Sequence, residues 1–312
     1  MRPAFSVIFL TTLIGAAQGL LLSLFGAQVA ARFAGMAPAS IGFFAVGGVL
    51  CVALGALGLV ASFFHLGRPE RGWRSAARWR TSWLSREVIV LPGFLALAAL
   101  YAVGNWGAWP ITLVIGALAS LFALALFVCT GMIYACLRFL QEWSTPLTVV
   151  NYTVLGSASG ATLAAALSAL LAPAYERGYA ILALTITLLG FGTRSWSLLR
   201  NARLRCKSTV QTAIGVRHPK IVQKSQGFMG GSFNTREFFH GRSAGFIRHV
   251  RSMFLAGAFV VPVLLLGGAI ATSAAPLLAA AFIVQFCGLL AERWYFFADA
   301  NHPQNLYYQA IA

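Results

Sequence analysis

An all-α integral membrane protein, built as a bundle of eight transmembrane helices with one long basic loop, is the fold class the sequence predicts. Three observations predict it. Of 312 residues, 59% are hydrophobic and only 10% charged, where soluble domains carry about 25% charged residues. Eight apolar runs lie near residues 5–31, 40–64, 85–104, 110–136, 147–172, 177–200, 250–272 and 275–298, each long enough for the roughly 20 residues that cross a bilayer. Lysine and arginine gather in the segments of one side.

These runs use nearly the whole chain, so the expectation is one transmembrane domain over 1–312. The first run follows a single basic residue, Arg2, and exceeds 20 residues. A signal-peptide core is shorter, about 7–15 residues, so a retained first helix is expected. Small residues such as those of Gly156-Ser-Ala-Ser-Gly160 let membrane helices approach closely, which favours a tight bundle. Gln18, Asn151 and Gln285 are read as interhelical hydrogen-bonding amides inside the runs. No chain of ionisable groups is expected at depth, which argues against an ion-coupled transporter. The stretch from Glu292 through Tyr308 mixes aromatic and polar residues and reads as an interfacial aromatic belt or as part of a docking face.

With eight spans, both termini share a side. Arg2, the 65–84 and 137–146 loops, the 200–249 loop, the tail and their helix edges hold 21 of the 23 Lys and Arg, leaving Arg32 and Arg177 opposite. The positive-inside rule then puts both termini in the cytoplasm. The same rule accounts for the net charge of +16 and pI near 10.7 without nucleic acid. The 201–249 segment is too polar to insert and too long for a simple connector. It reads either as a flexible basic loop on anionic lipid or as a platform for a cytoplasmic partner, with Phe228, Phe233, Phe238 and Phe239 among its charges. Arg71, Arg74, Arg78, Arg217, Lys220, Lys224 and Arg236 are the candidate docking residues.

No metal site is expected in the chain. Its five cysteines form no C-x-x-C pair, and four lie in apolar runs, where cysteine packs as a small hydrophobe. His65, His218, His240, His249 and His302 all fall at helix ends or in loops, so the paired mid-helix histidines of a haem relay are not expected.

The polar edge from His65 to Glu87 is the candidate site. An apolar run ends at His65, six arginines follow (Arg68, Arg71, Arg74, Arg78, Arg80 and Arg86), and the next run starts after Glu87. A histidine and a carboxylate therefore stand at the mouths of consecutive helices. Quinone chemistry moves electrons with protons, and such a pair suits it: histidine titrates near neutrality and a carboxylate relays protons. His65, Arg68, Ser85, Arg86 and Glu87 are the candidate quinone-binding residues, with His65 and Glu87 as the proton-handling pair and Arg68 steadying a reduced headgroup. A plain structural reading competes: Ser85 as a helix N-cap, Glu87 favoured by the helix N-terminus, and His65 bonded to a carbonyl.

At these residues the chain resembles the membrane anchor subunits of the dimethyl sulfoxide reductase type. The resemblance is carried by His65-Leu-Gly-Arg-Pro69 with Ser82-Trp-Leu-Ser-Arg-Glu87, by Met132-Ile-Tyr-Ala with Trp143-Ser-Thr-Pro-Leu147, and by Glu292-Arg-Trp with Asn305-Leu-Tyr-Tyr308. The opening Pro3–Thr12 and the stretch from Lys207 to Gly241 look most like the membrane subunit of cytoplasmic sulfite dehydrogenases. The resemblance implies a subunit of the bacterial cytoplasmic (inner) membrane that binds ubiquinone or menaquinone at His65 and Glu87 and has no haem of its own. It implies two partners, a ferredoxin-like iron–sulfur subunit and a catalytic subunit with a molybdenum bis-pterin cofactor, with electrons passing from sulfite to quinone. The same anchor run backward, with quinol oxidation feeding dimethyl sulfoxide reduction, and a transporter or purely structural anchor are the alternatives.

Overall fold

The structure is a computed structural model that describes residues 1–33, 40–205, 207–222 and 241–303. Eight helices in it are long and apolar enough to cross a membrane: α1 (Phe5–Phe33), α2 (Ile41–Phe63), α3 (Trp83–Trp106), α4 (Thr112–Ala135), α5 (Pro146–Leu171) and α6 (Pro173–Ala202), then, after a short α7 (Val210–Ile214), α8 (Ala244–Thr272) and α9 (Ala275–Ala298). No strand occurs among the described residues. The helices match the eight apolar runs of the sequence. The largest difference is α8, which starts at Ala244 because Ser243 caps a polar first turn through Phe246 N–H.

Proline and capping residues set the boundaries. Pro146 and Pro173 open α5 and α6, where the missing N–H costs nothing. Ser40 and Ser82 cap α2 and α3 by accepting from the N–H groups of Phe43 and Ser85. The cap of α3 is thus Ser82, not Ser85. Between α2 and α3 the chain runs as a 3-10 segment, Pro69–Arg78.

Helix α1 is the axis of the bundle. It packs on α2, α4 and α5 and touches α9, and Leu20, Leu21 and Leu24 of α1 are fully buried beside Phe43, Phe94, Tyr101 and Leu126. The α1–α5 crossing depends on glycine. A Cβ on Gly160 would fall onto the Gly19–Leu20 backbone, so the two chains meet without side chains between them, as membrane helices with small contact residues do. A π turn at Ala256–Val260 brings α8 against α9 in the same way, and a Cβ on Gly288 would overlap the Ala258 backbone nitrogen.

The amino-terminal face, the end carrying Phe5, also carries the end of α9. Met1 donates from its amino group to the carbonyls of Ala298 and Ala300, at 3.3 and 3.1 Å. The α4–α5 loop closes on the same end, with Trp143 Nε1 donating to Phe296 O at 3.0 Å. Tyr134, Trp143, Tyr152, Phe296 and Phe297 form an aromatic cluster there. The sequence from Glu292 to Ala298 is therefore not an interfacial belt: it is the last two turns of α9, with Tyr295, Phe296 and Phe297 buried. Asn305–Tyr308 lies outside the described residues.

Gly160→Leu is expected to abolish accumulation in the membrane, because backbone cannot yield to the new side chain. Gly26→Ala, where nothing lies within 4 Å, is expected to be tolerated. Immunodetection of both variants in isolated membranes checks the pair.

Candidate functional site

Three ionised side chains lie inside the bundle, near its amino-terminal face. Arg194 of α6 and Glu292 and Arg293 of α9 are 3%, 1% and 5% exposed. Arg194 Nε stands 2.7 Å from Glu292 Oε1, and Arg293 Nε 3.5 Å from Glu292 Oε2. The Arg194 guanidinium also faces the Phe254 ring at 5.6 Å, and that of Arg293 lies 3.8 Å over Tyr152. Buried charges persist only when paired, and this group pairs two cations with one anion.

By sequence, Arg194 and Arg293 count only as basic helix edges; the structure shows them buried and paired through Glu292 near the amino-terminal face. All three residues fall inside apolar runs 177–200 and 275–298, so hydropathy averages absorbed them. The amides behave as expected in two cases: Gln18 Nε2 donates to Ala123 O at 2.8 Å, and Gln285 Nε2 to Thr187 Oγ1 at 2.9 Å. Asn151 Oδ1 has no partner among the described residues.

Glu87 approaches the same interior from α3. Its carboxylate accepts a hydrogen bond from Thr130 Oγ1 of α4, and the residue is half-buried in the bundle wall. A narrow cavity behind it is lined by Thr11, Thr12, Glu87, Thr130, Tyr152, Ser159 and Arg293, among others. Its open volume is about 20 Å³, enough for one or two waters and far below the roughly 300 Å³ at which small-molecule pockets begin.

The other sequence candidates sit farther out. His65 and Arg68 are exposed in the turn after α2 and do not line this cavity. Partial burial of the His65 ring lowers its pKa from the usual histidine value. Ser85 is buried at the start of α3. Arg86 is committed elsewhere: it stacks 4.1 Å over Trp83 and donates to the carbonyls of Trp79 and Arg80, both at 2.9 Å. Arg71, Arg74, Arg78, Arg217 and Lys220 are exposed, while Lys224 and Arg236 lie outside the described residues. Thr130, Tyr152, Arg194 and Arg293 were not among the sequence candidates.

The cysteines divide. Cys51 and Cys129 are buried, and Cys136 and Cys287 are exposed, so packing inside the core accounts for only the first two. Cys206 lies outside the described residues. His249 stands within α8 and His302 just after α9. No cluster of three or more His, Cys, Asp or Glu occurs among the described residues.

A bundle of eight apolar helices with basic loops at one face and a charged, water-sized interior beneath it is the scaffold of a multi-pass membrane subunit. The chain matches the family described as DMSO reductase anchor subunit (DmsC) over residues 1–299, and it belongs to that family. It is also 54% identical, over 325 aligned positions spanning the whole of both chains, to a subunit of the sulfite dehydrogenase of Allochromatium vinosum.

The buried charges set an order of stability. Glu292→Gln leaves two buried cations without an anion, whereas Arg194→Met leaves the neutral Glu292–Arg293 pair. Breaking a buried pair costs about 3–5 kcal/mol, so Glu292→Gln is expected to lose that much and Arg194→Met clearly less. Thermal unfolding of the detergent-solubilised protein ranks them. Glu142, in the α4–α5 loop, accepts from Asn301 N–H at 3.3 Å, and burial raises its pKa above the usual glutamate value. The folded state therefore holds that proton more tightly than the unfolded chain, and stability falls as pH rises through the folded value. Glu142→Gln is expected to flatten this loss as pH rises above the ordinary glutamate value, read as the difference in melting temperature.

Proposed function

We propose that this anchor subunit exchanges electrons with the membrane quinone pool, and that Glu87 is the group at which the quinone headgroup trades protons. The observation that carries the reading is the placement of Glu87. Its carboxylate accepts from Thr130 in the wall of the bundle, where the residue is partly buried rather than enclosed and also lines a polar cavity. A proton carrier needs contact with both its substrate and a source of protons.

The cavity is too small for a headgroup, so the quinone approaches from outside α3. Leu84 and Ile89, 51% and 46% exposed, offer the apolar flank that an isoprenoid tail requires. His65 and Arg68, in the turn at the same end of the bundle, supply a neutral imidazole and a cation at the mouth. Arg86 acts indirectly by fixing the segment before α3 through the Trp79 and Arg80 carbonyls. Quinone carries the redox chemistry when bound; the chain binds it, orients it and holds a proton at the Glu87 carboxyl.

The relative favours one direction. A sulfite dehydrogenase subunit identical at 54% of positions along its full length supports membership of a sulfite-oxidising complex. Its catalytic subunit would hold a molybdenum bis-pterin centre, and a ferredoxin-like subunit the iron–sulfur clusters that feed this anchor. The exposed arginines of Pro69–Arg78, with Arg217 and Lys220, suit an acidic face of such a partner. The charge asymmetry supports an inner-membrane orientation with both termini and the docking face in the cytoplasm.

Glu87→Gln in the assembled complex is expected to lower sulfite-dependent quinone reduction at least 100-fold, while sulfite-dependent reduction of a soluble dye by the same complex is kept. Quinone turnover equal to the parent would contradict the assignment.

A further inference from the structure

The cavity behind Glu87 is more than a packing defect. Empty cavities in proteins are apolar, and a polar one of this size normally holds water. Thr11, Thr12, Gln18, Glu87, Thr130, Tyr152, Ser159 and Arg293 all contribute to its wall. Ser159 Oγ, on a residue 1% exposed, has no hydrogen-bond partner among the described residues. A buried hydroxyl left unpaired costs about 1–3 kcal/mol, and water is its usual partner.

The lining also has a direction. Tyr152 and Ser159 are seven residues apart on α5, and Thr11 and Gln18 the same on α1, which is about 10 Å along a helix. Glu87 lies in the first two turns of α3, and Thr130 and Arg293 in the last two turns of α4 and α9, all at the amino-terminal face. The cavity is thus a slot that runs from the level of Glu87 toward the middle of the bundle.

We infer that this slot holds one or two ordered waters that hydrogen-bond Ser159 Oγ and reach the Glu87 carboxyl, forming the internal proton reservoir for Glu87. The inference rests on Glu87 being the proton-trading group. When a reduced headgroup takes the Glu87 proton, the carboxyl O–H breaks and a headgroup O–H forms. A water behind the carboxylate then restores its O–H and regains a proton from the solvent, so the waters are unchanged and the solvent supplies the net proton. Ser159 is a positioning residue: it orients the water and touches neither quinone nor partner. Arg293 repels a hydronium ion at the slot wall, so transfer is by concerted exchange along the hydrogen bonds rather than by a free cation.

The test uses the intact complex. Ser159→Val replaces the hydroxyl with methyl groups that fill the slot, and Ser159→Ala removes the unpaired hydroxyl without added bulk if the first variant fails to accumulate. Quinone reduction, normalised to dye reduction in the same preparation, is expected to fall about 5- to 20-fold with the KM for quinone unchanged. The slowdown in D2O should exceed that of the parent. Ser159→Thr, which keeps the hydroxyl, is expected to restore most of the rate. A high-resolution density map of the parent should show water within hydrogen-bonding distance of Ser159 Oγ. A Val variant with parental rate and isotope effect would overturn the inference, as would a dry slot in the map. A parent complex that reduces dye but not quinone would instead overturn the functional reading, leaving the water site to be decided by the map.

Discussion

The Arg194–Glu292–Arg293 group is the constraint on which the amino-terminal half of the bundle depends. Three charges within a membrane span are tolerated only in contact with one another, and here the contact joins α6 to α9. Every neighbour is arranged to keep it: Phe254 of α8 faces Arg194, Tyr152 of α5 lies under Arg293, and the π turn of α8 meets Gly288 one turn before Glu292. The glycine contacts between α1 and α5 serve the same end. They draw α1 close enough for its threonines to share a cavity wall with Arg293. The packing that makes the bundle tight and the polarity of its interior are therefore one arrangement.

Glu87 gains its place from that arrangement. A carboxylate in the first turns of α3 would ordinarily extend into the interface. Here Thr130 donates to it, and it shares the lining of a cavity with Arg293. The exposed basic loop before α3 is a separate device. Its arginines lie beside exposed Trp73 and Trp79, and Arg86 ties its end to the helix. The proposed division of labour follows: an outer surface for a partner, a wall residue for proton exchange, and an interior that supplies protons.

Much of this was legible in the chain. Hydropathy alone gave the eight helices to within a few residues, because spanning segments must be long and apolar. The His65–Glu87 edge was legible because it breaks the hydropathy pattern. Arg194, Glu292 and Arg293 were not, although each is a charged residue within an apolar run, because their pairing joins residues about 100 apart in sequence. The aromatic residues of 295–297 look interfacial in composition, and only the inward turn of α9 shows them to be core. Thr130 and Ser159 are small hydroxyls of ordinary helical sequence, and only the surrounding cavity singles them out.

The central claim is that quinone meets the anchor at the outer side of Glu87. Photolabelling the intact complex with an azido-quinone, followed by peptide mapping, tests it most directly. Label is expected on the first turns of α3 and the last turns of α4, competed by excess native quinone. A competing location exists in the apolar groove of about 540 Å³ lined by Gly26, Tyr175, Tyr179 and Ile186. Competable label confined to α1 and α6 in that groove, with none near Glu87, would contradict the claim.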